Sequence, residues 1–269
     1  MTMDDWLDTR HEMRAPETRD TRTTSTDLRV EPLRTPALAG TESRWTIESR
    51  GTVYRLHRDD VRVLHAAGTF RTIALPDLTR DQPDAEARAA HLRRRGLVTV
   101  QGYCSREDVM TRFLVVSLSR QGQHVLTAAD PRGHYRAGPR RWREVGHDVG
   151  VYRAYQHECR RLWGDGCAVT ALRTEDELKR LLWSARSTEA PRDPHERRWA
   201  RAAELVLPVD AAGCVQIPDL QIGYRDARGE PHIVNVEVTT RQYTGAQRQA
   251  KARAGFRCYA VAALMRDRP

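Results

Sequence analysis

The sequence predicts a two-domain α+β protein, and three observations carry that expectation. The middle third is basic and strings short helical patterns ahead of two β-type segments. The last third holds two alternating segments around an Asp/Gly/Pro turn, followed by a helix and a strand. Between them, Asp130 to Arg143 is rich in Pro, Gly and Arg and has no apolar period. The resulting division is a flexible arm over 1–45, a first domain over 46–129, a linker over 130–145 and a second domain over 146–269.

Composition narrows the classes. With 269 residues, 39% hydrophobic and 30% charged, the chain has material for one or two globular cores and does not match a collagen-like or wholly disordered protein. No apolar run approaches the roughly 20 residues that cross a bilayer. The opening Met-Thr-Met-Asp-Asp-Trp-Leu-Asp has acids where a secretory signal carries a basic stretch, so a cytoplasmic location with no membrane partner is expected. The five cysteines are odd in number, widely spaced and lack a Cys-x-x-Cys pair, which points to reduced thiols.

The formal net charge of +9 favours polyanionic partners. Residues 1–45 carry 7 basic and 9 acidic side chains with no apolar face, as expected of an arm that cannot offset its chain entropy. Residues 46–145 carry 18 basic against 11 acidic, so the positive excess lies in the middle third. Only Lys179 and Lys251 are lysines; the other 43 basic residues are arginines.

In the first domain, Asp59 to Gly68 has an acidic start, apolar positions at 61, 64 and 67 and a closing glycine, the pattern of a short amphipathic helix. Thr72 is expected to cap a second helix holding Ile73, Leu75 and Leu78, and a third runs from about Asp84 to Arg95, ended by Gly96. Two β segments follow, Leu97 to Tyr103 and Arg112 to Leu118, with a polar wing between them. Three helices and a hairpin in this order read as a winged helix-turn-helix. Its third helix would present Arg88, Arg93, Arg94 and Arg95 to a DNA groove, and Arg106 in the wing would touch the backbone. The alternative is a solvated basic helix in a protein-contact module.

In the second domain, Gly146 to Leu162 reads as an amphipathic helix, Cys167 to Leu172 as a strand, and Thr174 to Trp183 as a capped helix. Ile217 to Tyr224 and His232 to Thr240 form a hairpin about a turn centred near residue 228. Antiparallel pairing about that centre sets Asp219 opposite Glu237, on one face. Two adjacent carboxylates repel unless a cation lies between them, and oxygen ligands of this kind suit Mg²⁺. A cation so held would polarise a phosphodiester and generate hydroxide. Glu158, on the long helix, is a candidate extra acid, and His147 a candidate base or ligand, with capping or packing as its other reading.

Pro218-Asp219, the turn and Glu237-x-Thr239 resemble the signature of the PD-(D/E)xK nuclease superfamily, which implies a restriction-endonuclease-like α/β domain. Asp219 and Glu237 match its metal-binding acids. Thr239 stands where the superfamily has lysine. A helix over about 243–254 offers Lys251 instead. Rising about 1.5 Å per residue against about 3.3 Å along a strand, it returns along the sheet toward the level of Glu237. Gln247 and Arg248 on the same helix are alternatives.

The whole order resembles the replication-relaxation family of bacterial plasmids and integrative elements. The pieces that carry the likeness are Leu56 to Leu118, His147 to Leu162, Pro218-Asp219, Val236-Glu237-Val238 and Lys251 to Tyr259. The resemblance implies double-stranded DNA and other mobile-element proteins as partners, in replication, relaxation or mobilisation, and a Mg²⁺-dependent nuclease if the site is active. The other readings are a transcriptional regulator or adaptor with an inactive nuclease-like domain, and an RNA-directed role, since basic charge alone does not separate DNA from RNA.

Overall fold

Alternating buried and exposed positions open the described residues: Ile47, Ser49, Tyr54 and Leu56 face inward, while Thr46, Glu48, Val53 and Arg55 face water. In the computed structural model, which describes residues 44–81, 84–104, 112–139, 141–184, 193–210 and 212–266, they form the hairpin β1 (Arg44–Ser49) and β2 (Thr52–His57). This hairpin is an addition to the elements expected from the sequence. The arm over 1–45, except its last two residues, and Arg106 with the wing tip lie outside the described residues.

Helix α1 (Arg58–Thr69) begins where His57 accepts from the Asp59 amide and Asp60 accepts from the His57 amide at 2.8 Å. Then come β3 (Thr72–Ala74), α2 (Leu75–Asp81), α3 (Ala85–Arg94), β4 (Val98–Cys104) and β5 (Arg112–Leu118). The strands order as β3-β5-β4, all antiparallel. The expectation that Thr72 caps a helix containing Ile73 is corrected. All three residues of β3 are buried and pair with Val115 to Ser117, so the exposed edge of β5 claims their backbone groups before the helix begins at Leu75.

Helix α4 (Arg120–Ala129), also beyond the expected elements, is capped by Ser119 accepting from Gly122. Gly122 is required there, because a Cβ would lie 1.9 Å from the Leu97 carbonyl oxygen. The stretch expected as a linker is held against the first module. Tyr135 is buried, the Arg136 amide donates to Gly68 and the Gly138 amide to Leu118. A lack of apolar period therefore did not mean a free connector; one aromatic anchor and two backbone bonds secure it.

The second half comprises α5 (Val145–Gly164), β6 (Ala168–Thr174), α6 (Glu175–Trp183), α7 (Pro194–Glu204), β7 (Leu220–Arg225), β8 (Pro231–Thr239), α8 (Gly245–Arg253), β9 (Phe256–Ala260) and α9 (Val261–Arg266). Its sheet runs β6-β7-β8-β9, antiparallel except for the parallel β8–β9 pair. Phe256 to Leu264, which the sequence alone reads as one final strand, is a strand only as far as Ala260. Val261, Leu264 and Met265 are buried at helical spacing, and α9 packs them toward α5.

One apolar core runs through both halves. Phe70 meets Tyr152 and Tyr155 at 5.0 and 5.1 Å between ring centres, joining the first module to α5. Beside them the buried Arg153 donates to Asp77 at 2.7 Å and to the Leu264 carbonyl at 2.8 Å. A smaller cluster, including Leu178, Leu182 and Leu205, joins α6 to α7. Among the described residues no helix is long and apolar enough to cross a membrane.

Candidate metal centre

The turn between β7 and β8 sets the register of the centre. Asp226 accepts from the amides of Arg228 and Glu230, and Gly229 takes a positive φ of 84° that a side chain would strain. The ladder pairs Arg225 with Pro231 and Leu220 with Val236. The ladder ends there, so the expected Asp219–Glu237 pair lies just beyond it, with Asp219 immediately ahead of β7 and Glu237 one residue past Val236.

Each acid has one oxygen engaged. Asp219 Oδ2 accepts from the Val238 amide at 2.7 Å and lies 3.3 Å from His147 Nε2. Glu237, only 4% exposed, accepts through Oε1 from the Tyr243 hydroxyl at 2.8 Å and faces Lys251 Nζ at 3.0 Å. Its Oε2 is buried without a hydrogen-bond partner. Burial and then the neighbouring Asp219 charge raise the Glu237 pKa, against the pull of Lys251 and Tyr243. The Tyr243 phenol is pushed up by burial and by Glu237.

Of the alternatives on the helix after β8, Lys251 reaches the acid. Gln247 is taken by the N-terminal cap of α8, where its Oε1 accepts from the Thr244 amide, and Arg248 is exposed. The Lys251 ammonium also lies 4.4 Å over the Phe256 ring. Thr239 donates to the Tyr259 carbonyl at 3.3 Å. Tyr243 was not anticipated; a lone tyrosine in a strand-to-helix connection carries no periodic signal.

Glu158 lies elsewhere. It is fully buried and bound by Arg161 at 2.9 Å, Arg257 at 3.2 Å and the Tyr259 hydroxyl. Arg257 and Tyr259 pair with Val236 and Val238, and Val238 faces Gly150 of α5. Glu237 alternates with these valines, so the sheet separates Glu158 from it.

The basic residues of α3 divide similarly. Arg88 is bound to Asp59 at 3.1 Å and Asp60 at 3.4 Å; Arg95 donates to the Arg55 carbonyl and stacks over Tyr54. Arg93 and Arg94 are exposed.

Asp219 also lines a cleft of about 350 Å³ between the two halves, with Arg71, Arg136, His147, Asp148 and Arg180 among its other walls. Burial tends to lower the pKa of His147, but the Asp219 hydrogen bond and charge, with Asp148 and Glu175, outweigh it and raise the pKa to about 9. Burial raises Asp148 to about 7 against the nearby His147 and Arg71, and its Oδ2 is buried without a partner. A carboxyl raised from 3.8 keeps its proton in the fold while the unfolded chain loses it, so folding stability falls as pH climbs from 3.8 through about 7. Asp148→Asn is therefore expected to raise the melting temperature above neutral pH and leave it unchanged below 3.8, as thermal melts across pH would register.

Among the described residues, no three or more His, Cys, Asp or Glu side chains group as a metal site. The donor set at Asp219 and Glu237 nevertheless suits Mg²⁺, which commonly takes one or two protein carboxylates and completes its shell with water and substrate phosphate. The orphaned Glu237 oxygen is the atom such an ion would satisfy. Comparison with protein-family models, curated proteins and solved structures returns no match for this chain.

Proposed function

We propose that this chain is a DNA-binding accessory protein of a mobile genetic element, of the replication-relaxation kind, whose C-terminal half hydrolyses a phosphodiester with a divalent cation. The observation that carries the catalytic reading is the Glu237–Lys251 pair at 3.0 Å, with a buried Glu237 oxygen free of hydrogen bonds and the Asp219 charge near enough to raise the Glu237 pKa. The DNA-binding reading draws on element order: α1, α2 and α3 with the β3-β5-β4 sheet follow the plan of a winged helix. Arg93 and Arg94 are available to phosphates, while Arg88 and Arg95 brace the helix.

Asp219 and Glu237 would hold the cation through their unengaged oxygens. When bound, the cation supplies Lewis-acid polarisation of the phosphodiester and hydroxide near neutral pH. Tyr243 and Lys251 keep the other Glu237 oxygen occupied, and His147 with the Val238 amide does so for Asp219. Lys251 supplies the positive charge that Thr239 lacks, next to the developing charge on phosphate.

Titration calorimetry with Mn²⁺ and Mg²⁺, together with a plasmid-cutting assay, tests this. Wild type is expected to bind and cut; Asp219→Asn and Glu237→Gln are each expected to lose cutting by at least about 100-fold and to bind the ion more weakly. A wild type that neither binds nor cuts favours the second reading, a regulator or adaptor whose nuclease-like half is inactive. The observation behind that reading is that Lys251 already neutralises Glu237.

A further inference from the structure

From Val238 to Arg266 the chain has six basic side chains and no acidic one, although 36 of its 269 residues are Asp or Glu. Helix α8 lies in this stretch and has no buried residue. All of Gly245–Arg253 is exposed except Lys251, which turns in to meet Glu237 at 3.0 Å. The helix is held by its Thr244–Gln247 capping box and by packing on β9. Arg248 and Arg253 enter no ion pair among the described residues. A helix that buries no face is ordinarily steadied by ion pairs along its surface, but α8 has no acid to make one. Arg248 and Lys251 are instead like charges one turn apart, and a bound polyanion offsets their repulsion. The other side chains narrow the partner. With no aromatic residue and no aliphatic one larger than alanine, α8 lacks the anchor of a protein interface and the apolar face of a membrane-surface helix. Its small residues let a backbone come close, and its arginine and glutamine donors suit phosphates. A helix about 10–12 Å across fits a DNA major groove about 12 Å wide, whereas the major groove of duplex RNA is deep and narrow.

We propose that α8 docks double-stranded DNA, with Arg248 and Arg253 binding backbone phosphates beside the phosphodiester presented to Glu237 and Asp219. Lys251 lies between the two arginines on the helix and ties the docked duplex to the centre through Glu237. That a bond is cut there rests on the phosphodiester reading above. The docking adds a second DNA contact, carried by the C-terminal half itself and separate from the one attributed to α3.

Fluorescence anisotropy on the full chain in EDTA tests the surface, using a labelled DNA duplex and an RNA duplex of equal length. Arg248→Gln with Arg253→Gln is expected to weaken DNA binding about tenfold and to flatten its salt dependence by about two phosphate contacts, each worth a slope of about −0.9. Each single substitution should give about half that change in slope, which keeps the test readable if the double variant melts early. Glutamine is nearly as good a helix former as arginine, so the change is one of charge. Arg225→Gln with Arg228→Gln removes the same charge at the turn end of the β7–β8 hairpin and should leave affinity within about twofold. Undiminished DNA affinity in the α8 double variant overturns the proposal. So does an equal fall in the hairpin pair, or an arginine dependence seen with the RNA duplex and absent with DNA. Binding in EDTA is independent of the metal centre. A chain that docks through Arg248 and Arg253 but holds no cation loses only the hydrolytic reading; one that cuts duplex DNA and binds it equally well without the two arginines loses only this one.

Discussion

Lys251→Met is expected to abolish most phosphodiester cutting, by about 100- to 1000-fold in single-turnover rate, while divalent-ion binding is kept or strengthened. The ammonium sits 3.0 Å from Glu237 Oε1 and competes electrostatically with any cation shared by Glu237 and Asp219. Methionine keeps the length and apolar contact of the stem over Phe256 and removes only the charge. Without that charge Glu237 faces Asp219 with Tyr243 as its remaining support, so its pKa rises further. Ion binding should therefore become more sensitive to acid and, at higher pH, tighter. Calorimetry at two pH values and single-turnover cutting separate these effects. An unchanged rate would make Lys251 only a structural partner of Glu237.

Asp77→Ala is expected to destabilise the protein by about 3–5 kcal/mol, because it leaves the buried Arg153 guanidinium without its carboxylate. Arg153 retains the Leu264 carbonyl, which carries no compensating charge. Replacing both partners, Asp77→Leu with Arg153→Met, should recover most of the loss, since an ion pair exchanged for apolar packing of similar volume is often close to neutral. Denaturant unfolding followed by tryptophan fluorescence measures both. A cost below about 1 kcal/mol for Asp77→Ala would mean that water reaches the guanidinium and the pair contributes little.

The hairpin register followed from the turn, because an Asp-containing turn with a left-handed glycine settles which residues lie opposite each other. Helix α1 with its acidic start, and α3 ended at Gly96, were likewise visible in their period and caps. The hairpin β1–β2, the short strand β3 and helix α7 were not. Their segments are short and partly polar, and β3 is a strand only because β5 has an open edge for it. The connector read as free because Tyr135 is a single anchor, and one buried residue makes no period.

Among the site residues, the sequence by itself determined that Asp219 and Glu237 lie at the same end of the β7–β8 pair, since a tight turn fixes the register over a few neighbouring residues. Only the tertiary structure decided what surrounds them. It brought Lys251 rather than Gln247 or Arg248 to Glu237, added Tyr243, carried His147 to Asp219, and put Glu158 behind the sheet. It also turned Arg88 and Arg95 from groove-facing candidates into braces. The reason is physical: backbone geometry repeats with a fixed local period, whereas the partner of a long charged side chain depends on which distant surfaces the common core presses together.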